Sequence, residues 1–531
     1  MEYAISFVDS ISKSNLVSMK LFLTSIVLSL SIASSSFAQL TSKQIDSLAN
    51  RTLKAFDVPG IAVCVIKDGK VIHSKGYGVR SLNTRKPVDE YTLFGIASNS
   101  KAFTAAALGI LVDEGKLKWD DKVRDHIPEF MLYDPYVTEQ FTIRDLLTHR
   151  SGLGLGAGDL MLFPSPNDFT LKDVIYNLRY LKPVSSFRTQ YDYDNNMYVL
   201  AGEVVARVSG MSWDAFVEKK IMKKLGMTSS AGSYARLKDH TNEIDGHAPV
   251  EGKVQVVDRD TMSLGHSAGG VYSSIADLSK WVKYLLSDDT TKKVMSEEVK
   301  EEMFTPQTII PVHGKSPYNT HFAAYGLGFF VSDVKGYKQL SHTGGLEGMV
   351  TQVTMIPELG LGIIVLTNQQ EGGAFSAITN QIKDSYLGIS GTDRVKEYAS
   401  RRGNAVDEAK GITDKVWKTV KENKADNNMK AFIGGYSDKW FGGVRIFEQG
   451  GKMRFESQHS KKLRGELMYY KANTCVVKWD DRSMDADAFA TFELDEEGNV
   501  TGMKMKAISP LTDFSFDFQD LDFTKVQIAY R

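Results

Sequence analysis

Apolar positions change their period along the chain, and each change predicts an element. Ile61 to Ile66 is a short β-rich apolar run. Lys67-Asp68-Gly69-Lys70 separates it from Val71-Ile72-His73, and an Asp-Gly turn between two such runs predicts a hairpin. From Lys101 the pattern becomes AFTAAALGILVDEG, apolar on nearly every side and ending at Gly115. That predicts a buried helix with a glycine stop. From about Phe141 to Leu286, helical segments such as Thr142 to His149 and Ile275 to Leu286 alternate with Gly, Pro and Ser loops. Strand signals return after His342. Val350 to Ile356 and Leu361 to Leu366 flank Pro357-Glu358-Leu359-Gly360 as a second hairpin, and Ala374 to Leu387 has helical periodicity. The economical solution is an α/β (α+β) domain: one antiparallel sheet built from both ends, covered by helices, with a helical subdomain between.

The pattern shifts again from Asp393 to Asn427, which is charged, poor in large apolar residues and broken by Gly403 and Gly411. It is expected to be a partly helical linker. Beyond Ala431 the character is all β, with strands expected at Val444 to Glu448, Met453 to Glu456, Leu467 to Tyr470, Thr474 to Trp479, Phe489 to Leu494, Val500 to Lys506 and Phe514 to Phe518. Gln449-Gly450-Gly451 and Glu497-Gly498-Asn499 supply turns, and the whole predicts a small barrel or sandwich. The expected organisation is an N-terminal extension and leader (1–38), the α/β domain (39–390), a linker (391–428) and a β domain (429–531).

At the N-terminus, Lys20 precedes the apolar run LFLTSIVLSLSIA, and Ser36-Phe37-Ala38 offers small residues for signal peptidase. This predicts export to the periplasm or the medium with cleavage near Ala38, from a start at Met19. The run is too short to span a bilayer, and no later stretch approaches the ~20 apolar residues a span needs, so no anchor is expected in the mature form. Formal net charge is −1 and basic runs are absent, which excludes the electrostatic footprint of a nucleic-acid binder. The two cysteines, Cys64 and Cys475, sit far apart among strand formers and are expected as buried free thiols. With no H-E-x-x-H and no Cys/His cluster, no metal and no cofactor is indicated.

Candidate chemistry begins at Ser98-Asn99-Ser100-Lys101, where the buried helix opens. Lys101 falls one turn after Ser98 on the same face. A lysine whose pKa is lowered by burial can take the proton of a serine hydroxyl, itself a weak nucleophile at neutral pH. S-x-x-K also occurs at Ser10 and Ser332, so the pattern alone is unspecific. Order supplies the specificity: Tyr193-Asp194-Asn195 follows, and then His342-Thr343-Gly344-Gly345 before a strand run.

With these motifs, and with VPGIAVCVIKDGKVIHSKGYG, TLFGIASNSKAFTA, FTIRDLLTHRSGL, AGGVYSSIADLSKW and YGLGF around them, the sequence resembles the serine β-lactamase and penicillin-binding family from about Asp57 to Asn368. The likeness is to the class C branch, the peptidase S12-like group shared with DD-peptidases, D-aminopeptidases and serine esterases. Its motifs are S-x-x-K, Y-x-N and K-T-G or H-x-G, in that order. The resemblance implies Ser98 as acylated nucleophile, Lys101 as proton acceptor and Tyr193 as second proton shuttle. It implies that Asn195 and His342 bind substrate, with His342 also holding the proton network, and that the N–H groups of Ser98 and Gly345, beside Gly344, form an oxyanion hole. The C-terminal segment resembles a β-rich domain of undetermined function that often trails such hydrolases; it is expected to cover the cleft or make a homo-oligomer without supplying catalytic groups.

Two departures from the family pattern bear on substrate. His342 replaces the lysine of true β-lactamases, weakening the case for a β-lactam carboxylate. Asp194 stands where Ser is usual and would disfavour anions if it faced the cleft. His149 is expected to be structural. The function expected is acyl transfer to water from a small ester or peptide-like amide. The alternative from another class is a penicillin-recognising or cell-wall-binding protein that acylates without turnover. A rival nucleophile is Ser267, in Gly265-His266-Ser267-Ala268-Gly269, which matches the G-x-S-x-G elbow of α/β-hydrolases. That elbow needs a strand before it and a helix after it, and the surrounding sequence suits neither; a wall of the cleft near Ser98 is the favoured reading.

Overall fold

Every residue of Ile61–Ile66 is buried because the strand that contains it is covered on both faces. In the computed structural model, which describes residues 39–287, 294–314, 316–423 and 427–526, Ile61, Val63 and Val65 join one core cluster while Ala62, Cys64 and Ile66 join another. The period of two splits one apolar run between two layers. The leader read from Lys20 to Ala38 lies outside the described residues.

The sheet has eight strands: β1 (Gly60–Lys67), β2 (Lys70–Gly78), β3 (Thr308–Ile310), β4 (Ala323–Tyr325), β5 (Phe330–Val334), β6 (Tyr337–Leu346), β7 (Met349–Ile356) and β8 (Leu361–Thr367). They are ordered β2-β1-β8-β7-β6-β5-β4-β3, and all neighbours are antiparallel. The expected hairpin joins β1 to β2 through Asp68 (φ 48°) and Gly69 (φ 72°), the left-handed pair that a two-residue turn requires. Pairing of Ile61 with Thr367 through Lys67 with Leu361 closes the two ends of the domain onto each other, as expected.

Helices α1 (Ser42–Phe56) and α5 (Gly372–Tyr386) cover one face, through Ile45, Leu48, Ile378 and Ile382. On the other lie α2 (Lys101–Asp113), α3 (Asn195–Ser209) and α4 (Ile275–Leu285). Helix α2 carries eleven buried residues, Lys101 among them. Cys64 and Cys475 are free and buried.

Two expectations fail. Gly403 and Gly411 do not break the segment after Asp393; both lie within a 29-residue helix, α6 (Arg394–Glu422). Each glycine faces solvent, where it costs about 1 kcal/mol relative to Ala. Packing at both ends outweighs that cost. Arg394 bonds Asp384 of α5 at 2.7 Å near the start, and Val416 and Val420 pack on Val476 and Ile508 near the end.

The second failure is Phe514 to Phe518, which is a loop that runs into a 3-10 turn at Phe518. The closed C-terminal barrel consists of β9 (Gly434–Asp438), β10 (Gly442–Gln449), β11 (Lys452–Ser457), β12 (Arg464–Lys471), β13 (Thr474–Trp479), β14 (Ala488–Leu494), β15 (Val500–Ala507) and β16 (Phe523–Val526). Six of the seven expected strands are present, and β9 and β16 complete the ring. Phe514, Phe516 and Phe518 alternate as a strand would, but they divide between two surfaces. Phe518 stacks on Trp479 of the barrel, while Phe514 meets Tyr193 edge-on with ring centroids 5.7 Å apart.

Candidate active site

A short ribbon pairs Phe94–Gly95 with Tyr272–Ser273 and feeds a 3-10 turn, Ala97–Ser100, that runs into α2. The turn is pinned on two sides. Thr351 Oγ1 of β7 donates to the Ile96 carbonyl and accepts from Asn99 Nδ2, both at 2.9 Å, while Ser100 Oγ accepts the Val271 N–H at 3.0 Å. Ala97 is held in the left-handed region at φ 48°. That conformation is costly for a residue with a Cβ and persists only where its surroundings impose it. The result presents Ser98, partly exposed between buried neighbours, at the head of the helix.

Lys101 is fully buried one turn later. Its Nζ lies 3.1 Å from Ser98 Oγ and donates to Asn195 Oδ1 at 2.7 Å and to the Ala268 carbonyl at 2.9 Å. The last two oxygens only accept, so a lone pair freed on Nζ faces the Ser98 hydroxyl. Burial pushes the lysine pKa down to about 7, against the opposing pull of Asp159 and Asp194. The amine therefore gives and takes a proton near neutrality.

Asp194 resolves which way its carboxylate points. It is the N-cap of α3, accepting the Met197 N–H at 3.3 Å, and it is buried away from the cleft with its pKa raised by burial to about 7. The residues on either side, Tyr193 and Asn195, are thereby fixed at the start of the helix. Tyr193 lies beneath Lys101, whose Nζ is 4.7 Å from its ring centroid. Burial holds its phenol well above the usual range, and the neighbouring Ser98 hydroxyl opposes that rise.

His342, on β6, is buried with Nδ1 against the Thr343 carbonyl and Nε2 2.9 Å from the Tyr325 hydroxyl. The carbonyl can only accept, so the proton sits on Nδ1 and Tyr325 donates to Nε2. Burial, followed by the charge of Lys101, lowers its pKa to about 3, and the ring is neutral at physiological pH. Pairing of β6 with β5 ends at Ser341. Beyond it, Gly344 meets the turn that bears Ser98 so closely that a Cβ would lie 2.2 Å from the Ile96 carbonyl, whereas Gly345 borders open space.

His149, expected to be structural, is buried behind Tyr193 and Asp194. Its Nδ1 accepts the Asp194 N–H at 3.0 Å and its ring packs on Tyr193 at 4.2 Å, with burial lowering its pKa. Ser267 turns its hydroxyl toward α3. It lies in a short helix, His266–Gly269, with its Oγ against Gly202 of α3 and its carbonyl bonded to Thr104. Its neighbour Ala268 forms the cleft wall through the carbonyl that Lys101 grips.

The structure thus gathers Ser98, Lys101, Tyr193, Asn195 and His342 around one cleft, with Gly344 and Gly345 on its sheet-side rim. Sequence reasoning missed Asp159. This buried carboxylate accepts Asn195 Nδ2 at 2.8 Å through Oδ2, while its Oδ1 has no partner among the described residues. Left-handed Gly156 and Gly158 just before it were the available signal. Also missed was the barrel loop. Phe514 packs on Tyr193, Ser515 Oγ donates to Asp159 Oδ2 at 3.0 Å, and Asp517 accepts the N–H groups of Gly158 and Leu160 at 2.7 and 3.0 Å. The barrel therefore does more than cover the cleft.

No group of three or more His, Cys, Asp or Glu side chains among the described residues is arranged to hold a metal ion. No described helix is long and apolar enough to cross a membrane.

A helix-covered antiparallel sheet with a serine-lysine turn between its two layers defines the serine hydrolases of the β-lactamase and penicillin-binding type. The chain belongs to the Beta-lactamase family, whose sequence profile matches residues 45–386; a domain of unknown function, DUF3471, matches residues 418–525. Among curated proteins it is 31% identical over 372 residues to unguisins hydrolase ungD of Aspergillus violaceofuscus, the match covering 64% of each chain. It is 27% identical over 330 residues to Protein flp of Staphylococcus aureus, covering 61% of this chain and 63% of that protein. The chain thus spans somewhat less than two thirds of the length of these relatives. Among solved structures, the octameric penicillin-binding protein homologue from Pyrococcus abyssi superposes with a TM-score of 0.59 at 23% identity, covering 89% of this chain and 99% of that one. A class C β-lactamase gives 0.53 at 21%, covering 66% and 96%. These two likenesses concern the fold.

Proposed function

We propose that the protein is an exported hydrolase that cleaves an ester or peptide-like amide through an acyl-enzyme on Ser98. The observation that carries this reading is the buried Lys101 amine 3.1 Å from Ser98 Oγ, with its pKa near 7. Lys101 as free base takes the Ser98 proton while Oγ attacks the substrate carbonyl carbon. The N–H groups of Ser98 and Gly345 stabilise the oxyanion. Tyr193 passes a proton to the leaving group, and Asn195 and His342 orient the substrate. Water then attacks the acyl carbon by the reverse proton path, releasing the acid and restoring Ser98. Because the reactive form is the free amine, acylation rises as pH increases through about 7.

Neutral His342 offers no cation to a β-lactam carboxylate, so efficient antibiotic hydrolysis is not expected. A cavity of about 140 Å³ adjoins Gly345 between sheet and barrel, lined by Phe163, Leu346 and Val350, by Met484 and Phe516, and by the carboxylates of Asp260 and Asp485. It suits an apolar substituent on an uncharged or cationic substrate. The relative named as a hydrolase supports turnover over mere recognition.

The test is a side-by-side assay of ester, D-Ala-D-Ala, D-aminopeptide and β-lactam substrates with Ser98→Ala as the blank. Ser98-dependent turnover of an ester or amide is expected. Stable acylation without product release would favour the penicillin-recognising alternative instead.

A further inference from the structure

The barrel reaches Lys101 through an unbroken hydrogen-bonded chain. Ser515 Oγ donates to Asp159 Oδ2 at 3.0 Å, Asn195 Nδ2 donates to the same oxygen at 2.8 Å, and Lys101 Nζ donates to Asn195 Oδ1 at 2.7 Å. All four residues are buried. The loop that carries Ser515 is seated by Asp517, whose two oxygens take the N–H groups of Gly158 and Leu160 on either side of Asp159. Close contact extends to Gly156, where a Cβ would lie 2.8 Å from the Phe514 carbonyl. Resting on the functional reading above, we propose that Ser515 is a positioning residue: by fixing the Asp159 carboxylate it orients Asn195 and sets how readily Lys101 releases its proton.

The groups that face this chain are few. Around Lys101 are Ser98, the rings of Tyr193 and Tyr198, the Ala268 carbonyl, Asp194, and the neutral His149 and His342. Around Asp159 are Asn195, Ser515, Asp194, Lys101 and Asp517. Burial pushes the Asp159 pKa well up and the charge of Asp194 adds to that rise, while Asn195, Ser515 and Lys101 pull it back. A negative charge on Asp159 raises the Lys101 pKa. A bond that holds that charge therefore makes the lysine harder to deprotonate, and losing the bond makes it easier.

The experiment measures the pH dependence of p-nitrophenyl acetate acylation by the full chain. Asp159→Asn keeps an acceptor for both donors but cannot ionise. The acidic limb, which follows conversion of Lys101 to the free amine, is expected to move about 0.5 pH unit lower or more. Ser515→Ala should move it the same way by a smaller amount and add nothing in the Asp159→Asn background, because the effect passes through that carboxylate. Ser515→Thr and Ser515→Val form a pair of one shape with and without the hydroxyl. Thr should keep the wild-type limb and Val should shift it, which separates positioning from packing if Ser515→Ala folds poorly. An unmoved or upward limb in Asp159→Asn or Ser515→Ala, an additive double variant, or equal shifts in Thr and Val would overturn the proposal while acylation remained Ser98-dependent. Acylation that survives Ser98→Ala would overturn the functional reading and this inference with it.

Discussion

The sheet and the barrel each contain eight antiparallel strands, yet only the sheet leaves an edge where chemistry can occur. Strand β6 separates from β5 after Ser341, and its free run over residues 342–346 borders the turn that bears Ser98. In the barrel every strand has two neighbours, and the interior is filled by Tyr436, Phe455, Trp479 and Phe492. Closure removes edges, and side chains fill a small barrel completely. A closed barrel can therefore serve an active site only through connections between strands: here the loop between β15 and β16, which reaches Asp159, and the loop between β13 and β14, whose Met484 and Asp485 line the cavity beside Gly345.

This contrast can be broken first on the sheet side. Gly344→Ala should slow acylation at Ser98 by about 100-fold or more, since the new Cβ would drive the Ala97–Ser100 turn away from β6 and small misplacements of reacting groups carry costs of that size. Gly345→Ala, which borders open space, should have a far smaller effect. Labelling rates on protein shown to be folded by circular dichroism check the pair. Equal rates for the two variants would mean that the β6 edge does not set the site.

On the barrel side the expected loss is one of stability. Phe492 is fully buried and stacks on Phe432 with ring centroids 3.9 Å apart. Phe492→Ala should destabilise the barrel by about 3–5 kcal/mol in denaturant unfolding, while folded protein keeps Ser98 labelling close to wild type. A large loss of labelling without loss of stability would show that the barrel acts on the site through more than its loops.

Legibility followed the reach of each signal. Ile61 to Ile66 and the helix from Lys101 were readable because their periods are local and their burial is nearly complete. The three motifs were readable because their order constrains them jointly. Asp194 needed the helix start at Asn195 before its role as a cap could be assigned. Asp159 went unread, since the glycines before it mark only a turn and do not tell a buried carboxylate from a solvated one. Phe514 to Phe518 misled because alternation describes any chain that divides its apolar side chains between two surfaces, and here the second surface is another part of the molecule. Gly403 and Gly411 misled for the converse reason: an unfavourable local propensity was overridden by packing at the two ends of α6.

The central claim is that Ser98 is the nucleophile and Lys101 its base. Mass spectrometry of the peptide labelled by a fluorophosphonate tests it most directly, with wild type and Ser98→Ala, Lys101→Ala and Ser267→Ala compared at one pH. The account predicts an adduct on Ser98, none in Ser98→Ala, labelling slowed by about 10²–10⁴-fold in Lys101→Ala, and labelling close to wild type in Ser267→Ala. An adduct on Ser267 with Ser98 unmodified, or undiminished labelling in Lys101→Ala, would contradict it.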